Sequence, residues 1–190
     1  LTYREPHDSL SITMTARVAV NGADPGIDFS PDLVGLTSEL GQIWDMGANS
    51  PHHYTSASPL VPMTSAITAY ARSRMDGQTT REIATQLCNA IHADFTYDGT
   101  ATDVDTPVAE AFSLKRGVCQ DFAHIMIAGL RGLGVPAGYV SGFLRTEPPP
   151  GQARLEGADA MHAWVRVWCG AKAGWMEFDP TNAMVAGSDH

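Results

Sequence analysis

The sequence predicts an α+β fold: N-terminal helices, then a central cysteine-bearing helix packed on an antiparallel β-sheet. Three observations predict it. Apolar residues recur at helical spacing from Leu33 to Leu133. Strand-like segments follow Gly138 and continue to Asp179. Between the two regimes stand Gly134 and Pro136, a glycine helix stop with a proline beyond it.

Residues 1–20 alternate as a strand does, with Leu10, Ile12, Met14, Val18 and Val20 apolar. Residues 21–31 are rich in turn formers and make the best domain boundary. Leu33, Leu36, Leu40, Ile43 and Trp44 then mark a first helix, and a loop around residues 51–58 leads to a second, near 63–75. A third begins at Thr79, where Thr79-x-x-Glu82 is a capping box, and carries Ile83, Leu87 and Ile91 on one face. Thr106-Pro107 opens a short fourth helix. Gly117 turns the chain into the helix of Cys119, whose Phe122, Ile125, Met126, Leu130 and Leu133 form one wide apolar stripe. Strands are expected at 138–145, 162–168 and 175–179. The long loop 146–161, with Pro148-Pro149-Pro150-Gly151, opens onto His162 as an active-site rim.

Composition bounds the function. A chain of 190 residues is one ordinary domain, or one domain plus a fragment, that buries roughly 70% of its unfolded surface. A net charge of −9 argues against nucleic acid or an anionic membrane as partner, because both demand a basic footprint. No apolar run approaches the ~20 residues of a membrane span. Three cysteines without a CxxC pair suit neither a disulfide framework nor a zinc knuckle, so a reducing, cytoplasmic setting is expected. Gly129, Gly132 and Gly134 make no dinucleotide fingerprint, and Gly138-Tyr-Val-Ser-Gly is no serine-hydrolase elbow. The adjacent His52 and His53 diverge, so neither a metal nor a cofactor is expected.

What remains is a thiol constellation. Cys119 stands at a helix N-terminus, where the macrodipole and unpaired N–H groups favour a thiolate and can receive an oxyanion. His162 lies in Asp-Ala-Met-His-Ala-Trp-Val and Asp179 in Trp-Met-Glu-Phe-Asp-Pro-Thr. If Cys169-Gly170-Ala171-Lys172 is a four-residue hairpin loop, Arg166 faces Trp175, Trp164 faces Glu177 and His162 faces Asp179. A directly opposed pair of this kind has Cβ atoms about 5 Å apart. Cys119 would then attack a carbonyl as thiolate, His162 would pair with it and protonate the leaving amine, and Asp179 would orient the imidazole. Asn182 is the alternative orienter. The backbone N–H of Cys119 is one oxyanion donor, with Tyr97 a candidate for the second. Cys88 reads as core, Cys169 as a loop residue without a role, and His124 as a structural histidine paired with Asp121.

These segments, together with Asp-Phe-Thr-Tyr-Asp, Arg-Gly-Val-Cys-Gln-Asp-Phe-Ala-His, Val-Pro-Ala-Gly-Tyr-Val-Ser-Gly and Phe-Asp-Pro-Thr-Asn, resemble the bacterial transglutaminase-like proteins. The resemblance covers residues 90–182, about half the chain. It implies a papain-like α+β core with a Cys-His-Asp triad matching Cys119, His162 and Asp179. It also implies a small β domain ahead of the core. Residues 1–22 are accordingly expected to end such a domain, and 23–190 to form a core truncated at its C-terminus. Gln120 stands where animal crosslinking enzymes typically have tryptophan, and no acidic loop resembles a calcium site. The implied activity is a cysteine-dependent hydrolase acting on peptide or protein amides through a thioacyl intermediate. Capture of that intermediate by an amine, or a non-catalytic binding module, are the alternatives.

Overall fold

Helices precede a four-stranded antiparallel sheet in the computed structural model, which describes residues 8–11, 13, 15–20, 22, 26–145, 147, 150–151, 153–158 and 161–190. The helices are α1 (Leu33–Leu40), α2 (Ser65–Arg74), α3 (Thr80–Asp94), α4 (Val108–Leu114) and α5 (Cys119–Gly132). Strands β1 (Thr96–Tyr97) and β2 (Arg116–Gly117) form a small parallel pair. The main sheet runs β3 (Ala137–Phe143), β4 (Met161–Trp168), β5 (Trp175–Asp179) and β6 (Met184–Val185), in chain order. This is the α+β arrangement expected from the sequence.

Caps explain the helix starts. Asp32 accepts from the Gly35 N–H at 2.7 Å to open α1, and Thr64 from Ile67 N–H at 3.3 Å to open α2. The α3 capping box is complete: Glu82 N–H donates to the Thr79 hydroxyl at 3.2 Å, and Thr79 N–H to the Glu82 carboxylate at 3.0 Å. Helix α1 is shorter than its apolar spacing suggests. Ile43 still packs on the core, but Trp44 lies beyond the helix and is 89% exposed. Helix α5 ends as anticipated: Gly134 takes φ +85°, and the Gly134 and Val135 amides bond the Arg131 and Leu130 carbonyls.

The core lies between α5 and the sheet. Every residue of α5 from Asp121 to Arg131 is buried, so this helix is enclosed on all sides. One side packs on Ala163, Val165, Val167 and Phe178 of the sheet, the other on α2 and α3. Contact with α2 is close because α5 presents glycines there. A Cβ on Gly129 would sit 2.9 Å from that of Ala71, and one on Gly132 would overlap Thr68.

Three short strands escaped the sequence pattern. The β1–β2 pair spans two residues per strand, too few for a period to register. It holds the entry to α5, and Lys115 just before it adopts φ 55°. The Lys115 ammonium caps an aromatic cluster, 4.6, 4.1 and 4.0 Å from the ring centroids of Tyr70, Phe95 and Phe112. Strand β6 was likewise too short to foresee.

The strand expected over residues 1–20 falls partly outside the described residues, at 1–7, 12 and 14. Those described between 8 and 22 form no helix or strand. Part of the 146–161 rim, including Pro148 and Pro149, also lies outside the described residues. Because Gly129 has no room for a larger side chain, Gly129→Val is expected to cost about 1–3 kcal/mol, measured by urea unfolding.

Candidate active site

The site begins with how α5 starts. Its cap residue, Val118, offers no side-chain acceptor, so the work falls to Asp121. The Asp121 carboxylate accepts from Val118 N–H at 2.8 Å and from the Thr102 hydroxyl at 2.6 Å. Gly117 leaves the space for it, since a Cβ there would collide with that carboxylate. The expected pairing of Asp121 with His124 is therefore corrected: Asp121 turns toward the helix entry. The His124 ring instead packs on Tyr139, 5.2 Å between centroids, and burial pulls its basicity down against the influence of Asp121. Cys119 is the first residue of the helix so capped, and it is half-buried.

His162 and Asp179 come from adjacent strands, with a register that differs from the one expected. Trp168 pairs with Trp175, and Arg166 with Glu177, so the connection is two residues longer than a four-residue loop. Cys169 N–H closes it on the Gly174 carbonyl. A shift of two preserves the face of every side chain, whereas a shift of one would have separated the pair. His162 and Asp179 thus meet diagonally, and His162 Nε2 bonds the Asp179 carboxylate at 2.9 Å with both side chains fully buried.

Asp179 is held by further donors. The Thr181 and Asn182 amides reach its Oδ1 at 2.9 and 3.3 Å. The Asn182 side-chain amide reaches Oδ2 at 2.7 Å, and His190 Nε2 lies 3.1 Å from that same oxygen. Asn182 thus supports the carboxylate rather than replacing it, and its side chain also binds the backbone of Glu156. Burial alone would raise the Asp179 carboxyl, but His162, His190 and Asn182 hold it far below the usual carboxylate range. His162 shows the opposite balance. Burial disfavours its charged form, yet the bond to Asp179 and the nearby Cys119 thiol push it up to about 9.

The surroundings fix the imidazole and frame the thiol. Trp164 stacks beside His162, 6.2 Å between centroids at 26°, and its indole N–H donates to Glu177 at 2.6 Å. Gly142 lies against the Trp164 ring, where a Cβ would overlap it. Tyr97 and Tyr139 are both raised, first by burial and then by the neighbouring Cys119. An apolar cavity of about 450 Å³ adjoins Tyr139, lined also by Pro59, Leu60, Val61, Gln120 and His124.

The other two thiols are shielded. Burial pushes Cys88 and Cys169 up to about 12 each. Cys169, expected to be a plain loop residue, is fully buried in the core. His52 and His53 tie their loop to the Ile43 and Met46 carbonyls. Among the described residues, no group of three or more His, Cys, Asp or Glu is placed to hold a metal. Sequence reasoning missed His190, which stands in no motif, and Tyr139, which lies in Val-Pro-Ala-Gly-Tyr-Val-Ser-Gly but at no telling interval from the other three.

The fold is that of a papain-like α+β core, with the cysteine on a helix and the imidazole and carboxylate on neighbouring strands. The chain belongs to the transglutaminase-like superfamily, whose family model matches residues 67–180. It is 38% identical over 191 residues to the uncharacterized protein Rv2569c of Mycobacterium tuberculosis, covering 94% of this chain and 58% of that one. The chain therefore spans less than two thirds of that relative. A shorter stretch of 102 residues is 33% identical to a protein-glutamine gamma-glutamyltransferase of Pseudomonas aeruginosa, covering 52% of this chain and 15% of that protein. Among solved structures, a proposed cysteine protease from Cytophaga hutchinsonii superimposes with a TM-score of 0.61 at 20% identity, covering 84% of this chain and 52% of that one. That likeness shows the fold.

The two shifts give stability a definite pH dependence. His162, raised from 6.5 to about 9, contributes fully below 6.5 and loses its contribution as pH climbs to 9. Asp179, lowered from 3.8, contributes above that value and loses its contribution in acid. The urea midpoint of the parent should fall between pH 6.5 and 9, and Asp179→Asn should flatten that decline.

Proposed function

We propose that this protein is a cysteine-dependent hydrolase of peptide or protein amides, with Cys119 as nucleophile, His162 as base and acid, and Asp179 as orienter. One observation carries the reading. Asp179 engages His162 Nε2, while the buried Nδ1 has no hydrogen-bond partner among the described residues. With Cys119 beside the ring, Nδ1 is the nitrogen left to take the thiol proton.

The steps follow from this geometry. The thiol proton moves to Nδ1, and the thiolate forms a C–S bond to the amide carbonyl, whose electrons pass to oxygen. The Cys119 N–H, at the positive end of α5, receives that oxyanion, with Tyr97 proposed as a second donor because it neighbours the thiol. The oxyanion collapses, the C–N bond breaks, and His162 hands its proton to the departing amine. Water, deprotonated by His162, then cleaves the thioester to a carboxylic acid and restores the thiol. An amine in place of that water would make a new amide, and the likeness to the glutamyltransferase favours this second reading. A reducing, cytoplasmic setting is proposed as well, on three cysteines that have no CxxC spacing.

Iodoacetamide labelling against pH tests the reading. Cys119 should label far faster than Cys88 and Cys169, do so below pH 7, and lose the advantage in His162→Ala. Turnover of peptide amides should fall about 10³-fold or more in Cys119→Ala and His162→Ala. Mass spectrometry of products with and without an added amine separates hydrolysis from acyl transfer. Equal labelling of Cys119 in parent and His162→Ala would favour a binding module instead.

The cavity beside Tyr139 is proposed to receive an apolar substrate side chain next to the reacting amide. Leu60→Asp should then raise KM several-fold for such substrates with kcat little changed, the mark of lost uniform binding.

A further inference from the structure

His190 is a buried imidazole that the proposed reaction does not use. Its side chain is 2% exposed, and its Nε2 lies 3.1 Å from Asp179 Oδ2, the oxygen that also engages His162. The Gly187 N–H donates to His190 Nδ1 at 3.3 Å, which places the ring proton on Nε2, facing Asp179. The Trp164 ring supports it edge-on at 5.3 Å and 78°. Its segment is clamped to the end of the sheet: Arg145 N–H bonds the Asp189 carbonyl, and the Arg145 guanidinium meets the Asp189 carboxylate at 3.0 Å.

Two imidazoles therefore share one carboxylate oxygen. Among the described residues, the charged or titratable groups around His190 are Asp179 from β5 with Cys88 of α3 near it, His162 from β4 with Cys119 of α5 beyond it, Glu177 behind Trp164, and the Arg145–Asp189 pair of its own anchor. Each donor on a carboxylate takes up part of its charge and leaves less for the next. Resting on the proposed triad, we propose that His190 is a positioning residue: as a neutral donor to Asp179 it lessens the charge with which that carboxylate, bonded at Nε2, stabilises the His162 imidazolium. The proton on Nδ1 is then released more readily to a leaving amine than it would be from a simple His-Asp pair.

The test reads His162 directly, by the NMR chemical shift of its ring Cε1–H against pH in parent, His190→Phe and His190→Gln. Phenylalanine keeps a ring against Trp164 but gives Asp179 no donor. His190→Phe should raise the His162 midpoint by about half a pH unit, and the alkaline limb of amide turnover should move with it. His190→Gln, whose amide can donate to the same oxygen, should return both toward the parent. If His190→Phe leaves the midpoint in place or lowers it, the proposal is wrong. Should His190→Phe lose its near-UV circular dichroism, His190→Leu takes its place. Unfolding of both would assign His190 to structure alone and equally overturn the proposal. Failure of the triad reading is a separate result: slow labelling of Cys119 in the parent, indifferent to His162→Ala.

Discussion

The carboxylate of Asp179 is the point on which the structure turns. It is fully buried, and a carboxylate in that position is untenable unless its lone pairs are filled. The fold fills them from four directions: the turn after β5, the Asn182 side chain, the β4 imidazole and the segment ending at His190. Each of those elements is located by the bond it makes. Asn182 passes the constraint on to Glu156, so the rim beside His162 is tied to the same anion. An ordinary turn aspartate before proline would have needed only its local amides.

Helix α5 supplies the complementary half. Its first residue carries the thiol, and its N-terminus offers free N–H groups and a positive field. Asp121 is spent on the Val118 N–H and the Thr102 hydroxyl, which fixes the entry to the helix. Lys115 anchors the approach by seating its ammonium over three aromatic rings drawn from α2, α4 and the residue after α3. The thiol is thus presented by a buried helix and a pinned entry, which is what the proposed reaction, sensitive to sub-ångström placement, requires.

Much of this was legible in the sequence because it is periodic or punctuated. The α3 capping box, the α5 stripe from Phe122 to Leu133 and the glycine stop at Gly134 are local signals, and each local structure obeys them. Strand β5 was read at its full extent, residues 175–179. The meeting of His162 and Asp179 was legible through the two-residue period even though the turn length was misjudged, because parity survives an even shift. What escaped were features that depend on tertiary placement. Trp44 sits at a helical interval yet falls outside α1, because Gly41 and Gln42 turn the chain away. Asp121 and His124 have the spacing of a pair, but a capping site competes for the carboxylate and wins. His190 acquires its meaning only once the final turn brings it back to β5, a proximity no short-range pattern encodes.

The disposition of the three thiols makes the chain a reporter of its own partial openings. Cys88 lies on α3 with its sulfur 4.0 Å from the Met184 carbonyl of β6, so it is uncovered when that helix lifts from the sheet edge. Cys169 lies under the β4–β5 turn and is uncovered when the hairpin end frays. Both are closed in the native state, so the rate at which each becomes accessible counts excursions of a different part of the molecule, the helical layer in one case and the sheet in the other. The protein thereby carries two internal clocks for local unfolding, one on α3 and one at the β4–β5 turn, without the insertion of any foreign group.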